Sequence, residues 1–281
     1  MRFKRLLLAA PVALLASASA FAAQPVDGNI GFQEAVTPVM EKLVSFHNYY
    51  LMPIITGITV FVVVLMLYIM WRFSEKRNPV PSKTSHNTLI EVVWTVAPVI
   101  ILLIMVVPSM QLLYYQDTIP ESELTIKATG NTWNWEYAYP EYENVESFIS
   151  NMLEKEDAES AGKPYLLGTD APLVVPVNTN VRVLVTSSNN LHSFAMPSFG
   201  IKMDAIPGKM NQTWFRVNEG KTGTYYGQCS ELCGIKHSMM PIEIKVVEKD
   251  EFKRWIANDG AFPTRTASND MTGTALAAAP K

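Results

Sequence analysis

The stretch GQCSELCGIKHSMM, residues 227–240, contains both cysteines of the chain beside other residues that bind metals. Its candidate ligands follow one another at spacings of four, four and three residues: Cys229, Cys233, His237 and Met240. A further candidate, His192, lies in an upstream loop. These thiolates, imidazoles and thioether suit copper better than zinc, because methionine sulfur is seldom a zinc ligand. The pattern favours a copper site, with a disulfide loop and a zinc knuckle as alternatives.

The presence of two cysteines distinguishes this loop from that of a blue-copper protein, which needs only one. Two thiolates on one short loop can bridge a pair of copper ions, and each ion can then take one of the two histidines. In an oxidising compartment, however, two cysteines pair as a disulfide by default. The compartment must therefore be inferred from the rest of the chain.

The N-terminus has the three parts of a secretory signal peptide. Basic residues near the start precede an apolar run from Leu6 to Leu15, and small residues follow as far as Ala23. The apolar run is shorter than the ~20 residues of a membrane helix, and the alanines offer cleavage positions before Gln24. We therefore predict a signal peptide over residues 1–23. A buried N-terminal helix is the alternative, which the basic and small-residue flanks fit poorly.

Two longer apolar stretches predict membrane-spanning helices. Tyr49 to Trp71 and Val92 to Tyr115 are each long enough, at about 1.5 Å per residue, to cross a hydrocarbon core of about 30 Å. The loop between them, 72–88, carries four basic residues and one acid, so the positive-inside rule places it in the cytoplasm. Residues 49–115 therefore form a transmembrane hairpin, preceded by an extracytoplasmic segment over 24–48.

The exported domain, residues 117–257, is predicted to be a β-sandwich or β-barrel. Alternating, β-branched segments bounded by turn residues predict strands over 123–130, 172–187, 212–220 and 241–248. Residues 145–162 indicate a polar helix or long loop, and 248–259 a surface helix packed on the sandwich. Residues 258–281 are predicted to be a disordered tail. The fold class is thus α+β, with a transmembrane hairpin followed by an extracytoplasmic sandwich.

The charge distribution argues against nucleic acid as a partner. The chain has 23 basic and 26 acidic residues, and loss of the signal peptide removes three basic residues and no acids, which changes the net charge from −3 to −6. Such an excess of acids favours a basic partner or simple solubility. No basic residue occurs between Lys127 and Lys155, an interval that contains Glu136, Glu141, Glu143, Glu146 and Glu154.

Four segments together resemble subunit II of the haem–copper cytochrome c oxidases of bacteria and mitochondria. They are GQCSELCGIKHSMMPI, LHSFAMPSFGIKMDAIPGK (191–209), ATGNTWNWEYAYPE (128–141) and IEVVWTVAPVIIL (90–102). The resemblance implies a cupredoxin-like domain with a binuclear copper A centre, which takes electrons from cytochrome c. It also implies a multi-pass protein of the bacterial inner membrane, with its C-terminal domain in the periplasm and with oxidase subunits I and III as partners.

The resemblance assigns the copper ligands individually. They are the side chains of His192, Cys229, Cys233, His237 and Met240 and the backbone carbonyl of Glu231. The two cysteines would bridge both coppers. His237 and the Glu231 carbonyl would complete one copper, and His192 and Met240 the other. The Glu231 side chain would also bind a magnesium ion at the interface with subunit I. Met239 lies off this spacing, so it is predicted to be a packing residue and not a ligand.

Two residues outside the loop also gain roles from the resemblance. Trp133 stands where the family has an exposed aromatic residue that receives the electron from cytochrome c; a core tryptophan is the alternative, and Trp135 shares that ambiguity. Glu91 stands at the mouth of a proton pathway into subunit I, although a carboxylate at a helix end can simply snorkel. The acids predicted to dock cytochrome c are Glu136, Glu141, Glu143 and Glu146.

The chain departs from the commonest family text near the predicted docking face. Asn131 and Asn134 stand where His and Tyr are usual, and Asn189 stands where an acid often precedes the ligand His192. These departures bear on the donor cytochrome more than on the copper site.

Three other classes of protein share part of the pattern. A copper-free quinol-oxidase subunit II has the same hairpin and sandwich but lacks the copper ligands, and its cysteines would be free to form a disulfide. A nitrous oxide reductase has a similar copper loop but is a larger soluble enzyme. A copper-storage or assembly module would explain the ligands but not Trp133, Glu91 or the acids. The sequence therefore predicts an oxidase subunit, a part of an oxidoreductase that also translocates protons.

Overall fold

The computed structural model describes residues 21–262, which form a helical hairpin followed by two packed β-sheets. The helices are α1 (Pro38–Phe46), α2 (Met52–Arg72), α3 (Thr88–Asp117), α4 (Lys155–Ser160) and α5 (Lys249–Ala257). The strands are β1 (Phe21–Ala23), β2 (Leu124–Asn131), β3 (Asn134–Ala138), β4 (Phe148–Ser150), β5 (Leu173–Pro176), β6 (Val181–Ser187), β7 (His192–Met196), β8 (Ile201–Ala205), β9 (Asn211–Phe215), β10 (Gly223–Cys229) and β11 (Pro241–Val247).

Two helical segments, Pro38–Arg72 and Thr88–Asp117, are long and apolar enough to cross a membrane. The first begins well before the predicted start at Tyr49, because α1 continues into α2 through a π-helical turn. Its start is set by Thr37, whose Oγ1 accepts a hydrogen bond from the backbone N–H of Met40 over 3.1 Å. Proline at the first helical position is favoured there as well, since it needs no N–H partner.

The hairpin is joined to the sandwich at both of its extracytoplasmic ends. Near α1, the Thr37 hydroxyl donates to the carbonyl of Phe199 over 2.7 Å. At the end of α3, the indole Nε1–H of Trp214 donates to the carbonyl of Gln116 over 3.1 Å. These hydrogen bonds set the position of the exported domain relative to the hairpin.

The exported domain consists of two stacked sheets. One has the strand order β5-β11-β10-β7-β8 with β1 beside β10, and the other has the order β4-β3-β2-β6-β9. Every second residue of β2 and β6 is buried, as their alternating sequence predicted. Large side chains fill the space between the sheets, including Trp135, Tyr137, Phe194, Phe199, Phe215 and Tyr225. The predicted fold class, a membrane hairpin followed by a β-sandwich, is confirmed.

The strand pairing brings the separate parts of the predicted ligand set to one end of the sandwich. β7 begins with His192 and β10 ends with Cys229, and the two strands pair antiparallel with Cys229 opposite Phe194. The turn between β2 and β3, in the other sheet, carries Trp133. The candidate site therefore lies where the ends of the two sheets meet.

Several predicted segments contain more secondary structure, or pack more closely, than the sequence indicated. Residues 145–162 contain β4 and α4 rather than a single helix or loop, whereas α5 falls where a packed helix was predicted and buries Phe252 and Trp255. The first residues of the predicted tail pack on the domain, since the Lys245 ammonium lies 3.5 Å from the ring centroid of Phe262. The rest of the tail, residues 263–281, lies outside the described residues.

The predicted signal peptide also lies outside the described residues, except for its last three. These form β1, which pairs in parallel with residues Gly223 to Tyr225 of β10. Ala23 is buried at this edge. Cleavage before Gln24 stays a prediction.

Candidate metal centre

The loop between β10 and β11 and the start of β7 bring sulfur and imidazole side chains into one cluster. The Sγ atoms of Cys229 and Cys233 lie 3.9 Å apart, and both are free thiols. Nδ1 of His192 lies 3.8 Å from Cys229 Sγ, and Nδ1 of His237 lies 3.5 Å from Cys233 Sγ. The Met240 Sδ lies 3.5 Å from Cys233 Sγ. Each cysteine therefore faces a different imidazole, with a thioether beside the pair.

The two methionines at the end of the loop have different environments. Met240 is 1% exposed and belongs to the cluster, whereas Met239 is 37% exposed. Met239, which was predicted to be a packing residue, thus packs only in part, at the end of the short helical turn His237–Met239. The loop also presents a backbone oxygen to the cluster, since the Glu231 carbonyl lies 3.4 Å from Cys229 Sγ.

Burial and hydrogen bonding prepare His192 to act as a metal ligand. Its ring is fully buried, and this burial, with a smaller contribution from His237, lowers the pKa of His192 below its ordinary value. The imidazole is therefore neutral at pH 7. Nε2 lies 3.5 Å from Oδ1 of Asn189, an acceptor that favours the proton on Nε2. The Nδ1 lone pair then points toward Cys229.

The Cys233 thiol is held in an environment that disfavours its charged form. Burial raises the pKa of the Cys233 thiol to about 12, with the neighbouring Cys229 as the second cause. Two adjacent buried thiolates are stable only when a cation compensates their charge. The ligand atoms of His192, Cys229 and Cys233 all lie within 4.8 Å of one another. With the soft donors of His237 and Met240 close by, the cluster fits copper.

A buried tryptophan and a glycine support the cluster from the opposite sheet. The Nε1–H of Trp135 donates to the Met240 carbonyl over 3.3 Å, and its ring lies edge-on to His192 with centroids 6.2 Å apart. A Cβ at Gly130 would lie 2.9 Å from Cδ2 of His192, so only glycine leaves room for the imidazole. Trp135 is thus a core residue. Gly130 was not singled out from the sequence, although a glycine inside a strand pattern is a signal that another group approaches the backbone closely.

The comparisons with known proteins identify the family of this chain. Residues 25–112 match the family model "Cytochrome C oxidase subunit II, transmembrane domain", and residues 124–247 match "Cytochrome C oxidase subunit II, periplasmic domain". The chain is 47% identical over 259 residues to the probable cytochrome c oxidase subunit 2 of Rickettsia prowazekii, across 92% of this chain and 80% of that protein. The chain belongs to the cytochrome c oxidase subunit II family.

A further curated relative and a solved structure are also similar to this chain. Cytochrome c oxidase subunit 2 of Cereibacter sphaeroides is 40% identical over 248 residues, which cover 83% of this chain and 81% of that protein. A crystal structure of the periplasmic domain of subunit II of cytochrome oxidase from Bradyrhizobium japonicum has a sequence 50% identical to this chain. The match covers 50% of this chain and 96% of that one, with a TM-score of 0.45.

In this subunit II protein, Trp133 lies directly against the ligand loop. The indole is half-buried, and its Nε1–H donates to the carbonyl of Cys233 over 3.1 Å. A Cβ at Gly234 would lie 3.1 Å from Cζ2 of the indole, and Gly234 has a φ of +121°, which a side chain rarely adopts. Glycine at this position therefore permits both the loop conformation and the contact with the ring.

The subunit II chain places Glu91 far from the metal centre. Glu91 is half-buried in the first turn of α3, while the exported domain follows the other end of that helix. A rise of 1.5 Å per residue separates Glu91 from Asp117 by about 40 Å. Any role of Glu91 is therefore exerted at the opposite end of α3 from the candidate metal centre.

The predicted docking acids do not surround Trp133. Glu141 accepts a hydrogen bond from the N–H of Thr125, at the start of β2, over 3.1 Å, whereas Trp133 follows the end of that strand. At about 3.3 Å per residue the two ends of β2 are ~20 Å apart. Glu143 and Glu146 are exposed and line a groove of about 680 Å³ at the same distant end, and Glu136 lies half-buried between, in β3. Their role in docking cytochrome c stays a prediction.

Proposed function

We propose that this chain accepts electrons from a cytochrome c at a binuclear copper A centre and passes them to the haem–copper centres of oxidase subunit I. There oxygen would be reduced to water, coupled to proton pumping. The observation that carries the proposal is the pair of cysteine sulfurs 3.9 Å apart, each within 3.8 Å of a different imidazole. Membership of the oxidase family supports the assignment to subunit II.

The residues of the cluster would hold the two ions between them. The ligands would be both cysteine sulfurs, the imidazoles of His192 and His237, the Met240 thioether and the Glu231 carbonyl. Bound there, the copper pair would supply a one-electron redox centre whose charge change is shared over two metals and two sulfurs. The surrounding chain excludes water and holds the ligands in place, as a buried ligand shell does in metal sites generally.

Trp133 would connect this centre to the donor cytochrome. Its indole is half-buried, so one edge faces solvent while Nε1–H is bonded to the backbone of a cysteine ligand. The acids Glu136, Glu141, Glu143 and Glu146 would act from a distance, by steering a basic cytochrome toward this end of the domain rather than by touching it beside the indole. Charges act in this way over about 10 Å at 0.1 M salt.

The hairpin would place the subunit in the bacterial inner membrane. With the 72–88 loop in the cytoplasm, the copper domain would lie in the periplasm. The apolar side chains of α2 and α3 are exposed in the single chain, which is consistent with contact to lipid and to subunits I and III. Glu91 would take up protons from the cytoplasmic side, and the Glu231 side chain would bind magnesium against subunit I.

Copper content and electron paramagnetic resonance of the full-length chain in detergent test the proposal. We expect two copper ions per chain and one unpaired electron shared between them. Cys233→Ser should lose this signature, whereas Met239→Leu, a change beside the cluster, should keep it. One copper per chain with a four-line hyperfine pattern would favour a mononuclear site. A Cys229–Cys233 disulfide in the copper-loaded protein would contradict any thiolate-bridged centre and favour the copper-free quinol-oxidase class.

A further inference from the structure

Two side chains from different segments converge on one backbone oxygen, the carbonyl of Cys233. The indole Nε1–H of Trp133 reaches it over 3.1 Å, and the amide Nδ2–H of Asn190 reaches it over 3.3 Å. A carbonyl oxygen has two lone pairs, and here protein donors face both of them. The turn that carries Trp133 and the loop before β7 therefore meet on the ligand loop itself.

The orientation of the Asn190 amide is determined by its other contact. Its Oδ1 accepts a hydrogen bond from the backbone N–H of Leu191 over 2.8 Å, so Nδ2 must face Cys233. The Asn190 carbonyl in turn accepts from the hydroxyl of Ser187 over 2.5 Å. Asn190 thus links the loop that leads to His192 with the loop that bears the cysteines.

Neighbouring residues tie the Trp133 turn to the same loop. The Ser188 hydroxyl donates to Oδ1 of Asn131 over 2.5 Å, and Nδ2 of Asn131 donates to Oδ1 of Asn134 over 3.2 Å. These two asparagines flank the turn and are two of the three residues that depart from the usual family text. Polar side chains here hold the turn by hydrogen bonds to the Asn190 loop.

We propose that Asn190 is a positioning residue for electron transfer from Trp133 into the copper centre, an inference that rests on the proposed function. The peptide between Cys233 and Gly234 can rotate easily, because Gly234 has no side chain and a φ of +121°. The hydrogen bond from Asn190 restrains that peptide and keeps its oxygen aimed at the indole. The transfer would move one electron from the reduced cytochrome to the oxidised centre by way of the indole, with no covalent bond or proton changing place.

The test compares Asn190→Leu and Asn190→Asp in the copper-loaded, full-length chain. Leucine removes the donor, and aspartate keeps the acceptor for Leu191 but offers no donor to Cys233. At saturating cytochrome c we expect the rate of copper reduction, measured by stopped flow, to fall about two- to tenfold. Loss of one hydrogen bond lowers by about this factor the fraction of molecules in which the indole is bonded to the Cys233 carbonyl. The dissociation constant should stay the same for Asn190→Leu.

A spectroscopic measurement separates positioning from general damage. The measurement is the NMR signal of the Trp133 indole N–H in chains labelled with 15N-tryptophan, which the Trp133→Phe variant assigns. In both Asn190 variants we expect this signal to shift upfield. We also expect its exchange with deuterium to become about two- to tenfold faster. Asn144→Leu is the matched control, because the Asn144 amide also donates to a backbone carbonyl, that of Ile256 over 2.6 Å, at the other end of the domain. It should change neither the indole signal nor the rate.

Each remaining outcome decides against the inference in a distinct way. An unchanged indole signal and an unchanged rate in both variants would overturn it while leaving the proposed function intact. Loss of copper from both variants would mean that Asn190 builds the site instead of positioning the indole, which also overturns it. Failure of the unmodified chain to form a two-copper centre would refute the proposed function itself, a result read from the wild type alone.

Discussion

Gly200 packs directly against the backbone of Met40, so the sandwich and the helix that leads into the membrane meet without a side chain between them. A Cβ at Gly200 would lie 2.9 Å from the Met40 Cα. Gly200 also has a φ of +71°, in the left-handed region that favours glycine. This contact, together with the Thr37 and Trp214 hydrogen bonds, holds the metal centre at a defined place above the hairpin.

Gly200→Ala should therefore loosen the sandwich from α1. We expect the full-length chain in detergent to lose about 2–4 kcal/mol of stability, through left-handed strain plus a backbone clash. Gly208→Ala is the matched control, since Gly208 has a φ of +74° with nothing within 4 Å of its added Cβ. It should cost only the strain, about 1–2 kcal/mol. Thermal unfolding measures both, and equal losses would show that the contact with Met40 is unimportant.

The two adjacent methionines should respond differently to leucine. Met240→Leu removes the thioether 3.5 Å from Cys233 Sγ, so we expect a changed hyperfine pattern and a shifted reduction potential with copper still bound. Met239→Leu should change neither, because that side chain is exposed. Electron paramagnetic resonance and redox titration of the two variants provide the measurement. Equal spectra would remove Met240 from the ligand set.

Copper binding should strengthen as pH rises. Burial raises the pKa of Cys233 to about 12, so the thiol is protonated near neutrality and must lose its proton to bind. The pKa of His192 is lowered, so its imidazole does not compete for a proton above about pH 7. Between about pH 7 and 8, affinity should rise about tenfold for each thiol proton released.

Chelator competition across this pH range measures that dependence. Cys233→Ser is the informative control, because a serine hydroxyl has no comparable proton to release and the slope should fall by one proton. A flat profile in the unmodified chain would mean that the thiols do not bind as thiolates.

Docking and electron transfer should separate by mutation. Neutralising Glu141, Glu143 and Glu146 together should slow association and flatten its salt dependence, because exposed charges act mainly on encounter. The saturated transfer rate should hardly change. Trp133→Ala should do the reverse, because it removes the indole bonded to the Cys233 carbonyl.

Stopped-flow reduction of copper across a salt series distinguishes these two effects. If Trp133→Ala only weakened binding, or the triple change cut the saturated rate, the assigned roles would be exchanged. The ~20 Å between Glu141 and the Trp133 end of β2 makes the association effect smaller than that of charges beside the indole.

Glu91→Gln should slow turnover of the assembled oxidase while copper content and copper reduction stay normal. Glutamine keeps the size of the side chain but cannot titrate, so a relayed proton would lose its carrier. A fall of about tenfold or more is expected for a residue that transfers protons. Glu75→Gln, in the loop predicted to be cytoplasmic, is the control and should leave turnover unchanged. Normal turnover in Glu91→Gln would make Glu91 a structural residue.

The sequence by itself determined the features that depend on local patterns. Hydrophobic runs are long enough to identify the hairpin, and alternation within single segments identified β2 and β6, because burial of one strand face has a period of two residues. The cysteines, His237 and Met240 could be grouped because they lie on one short loop. The remaining candidate, His192, is 37 residues from Cys229; its residue type and upstream position made it a candidate, and the family resemblance assigned it to one copper.

Only the tertiary structure decided how distant segments meet. The pairing of β7 with β10 places His192 beside Cys229, and Gly130 in the other sheet makes room for its ring. In the other sheet, the antiparallel pairing of β3 with β2 carries Glu141 to the far end of β2, away from Trp133, although the two residues are only eight positions apart in sequence. Strand register and side-chain hydrogen bonds such as that of Asn190 are set by packing across the two sheets, which no local pattern in the chain encodes.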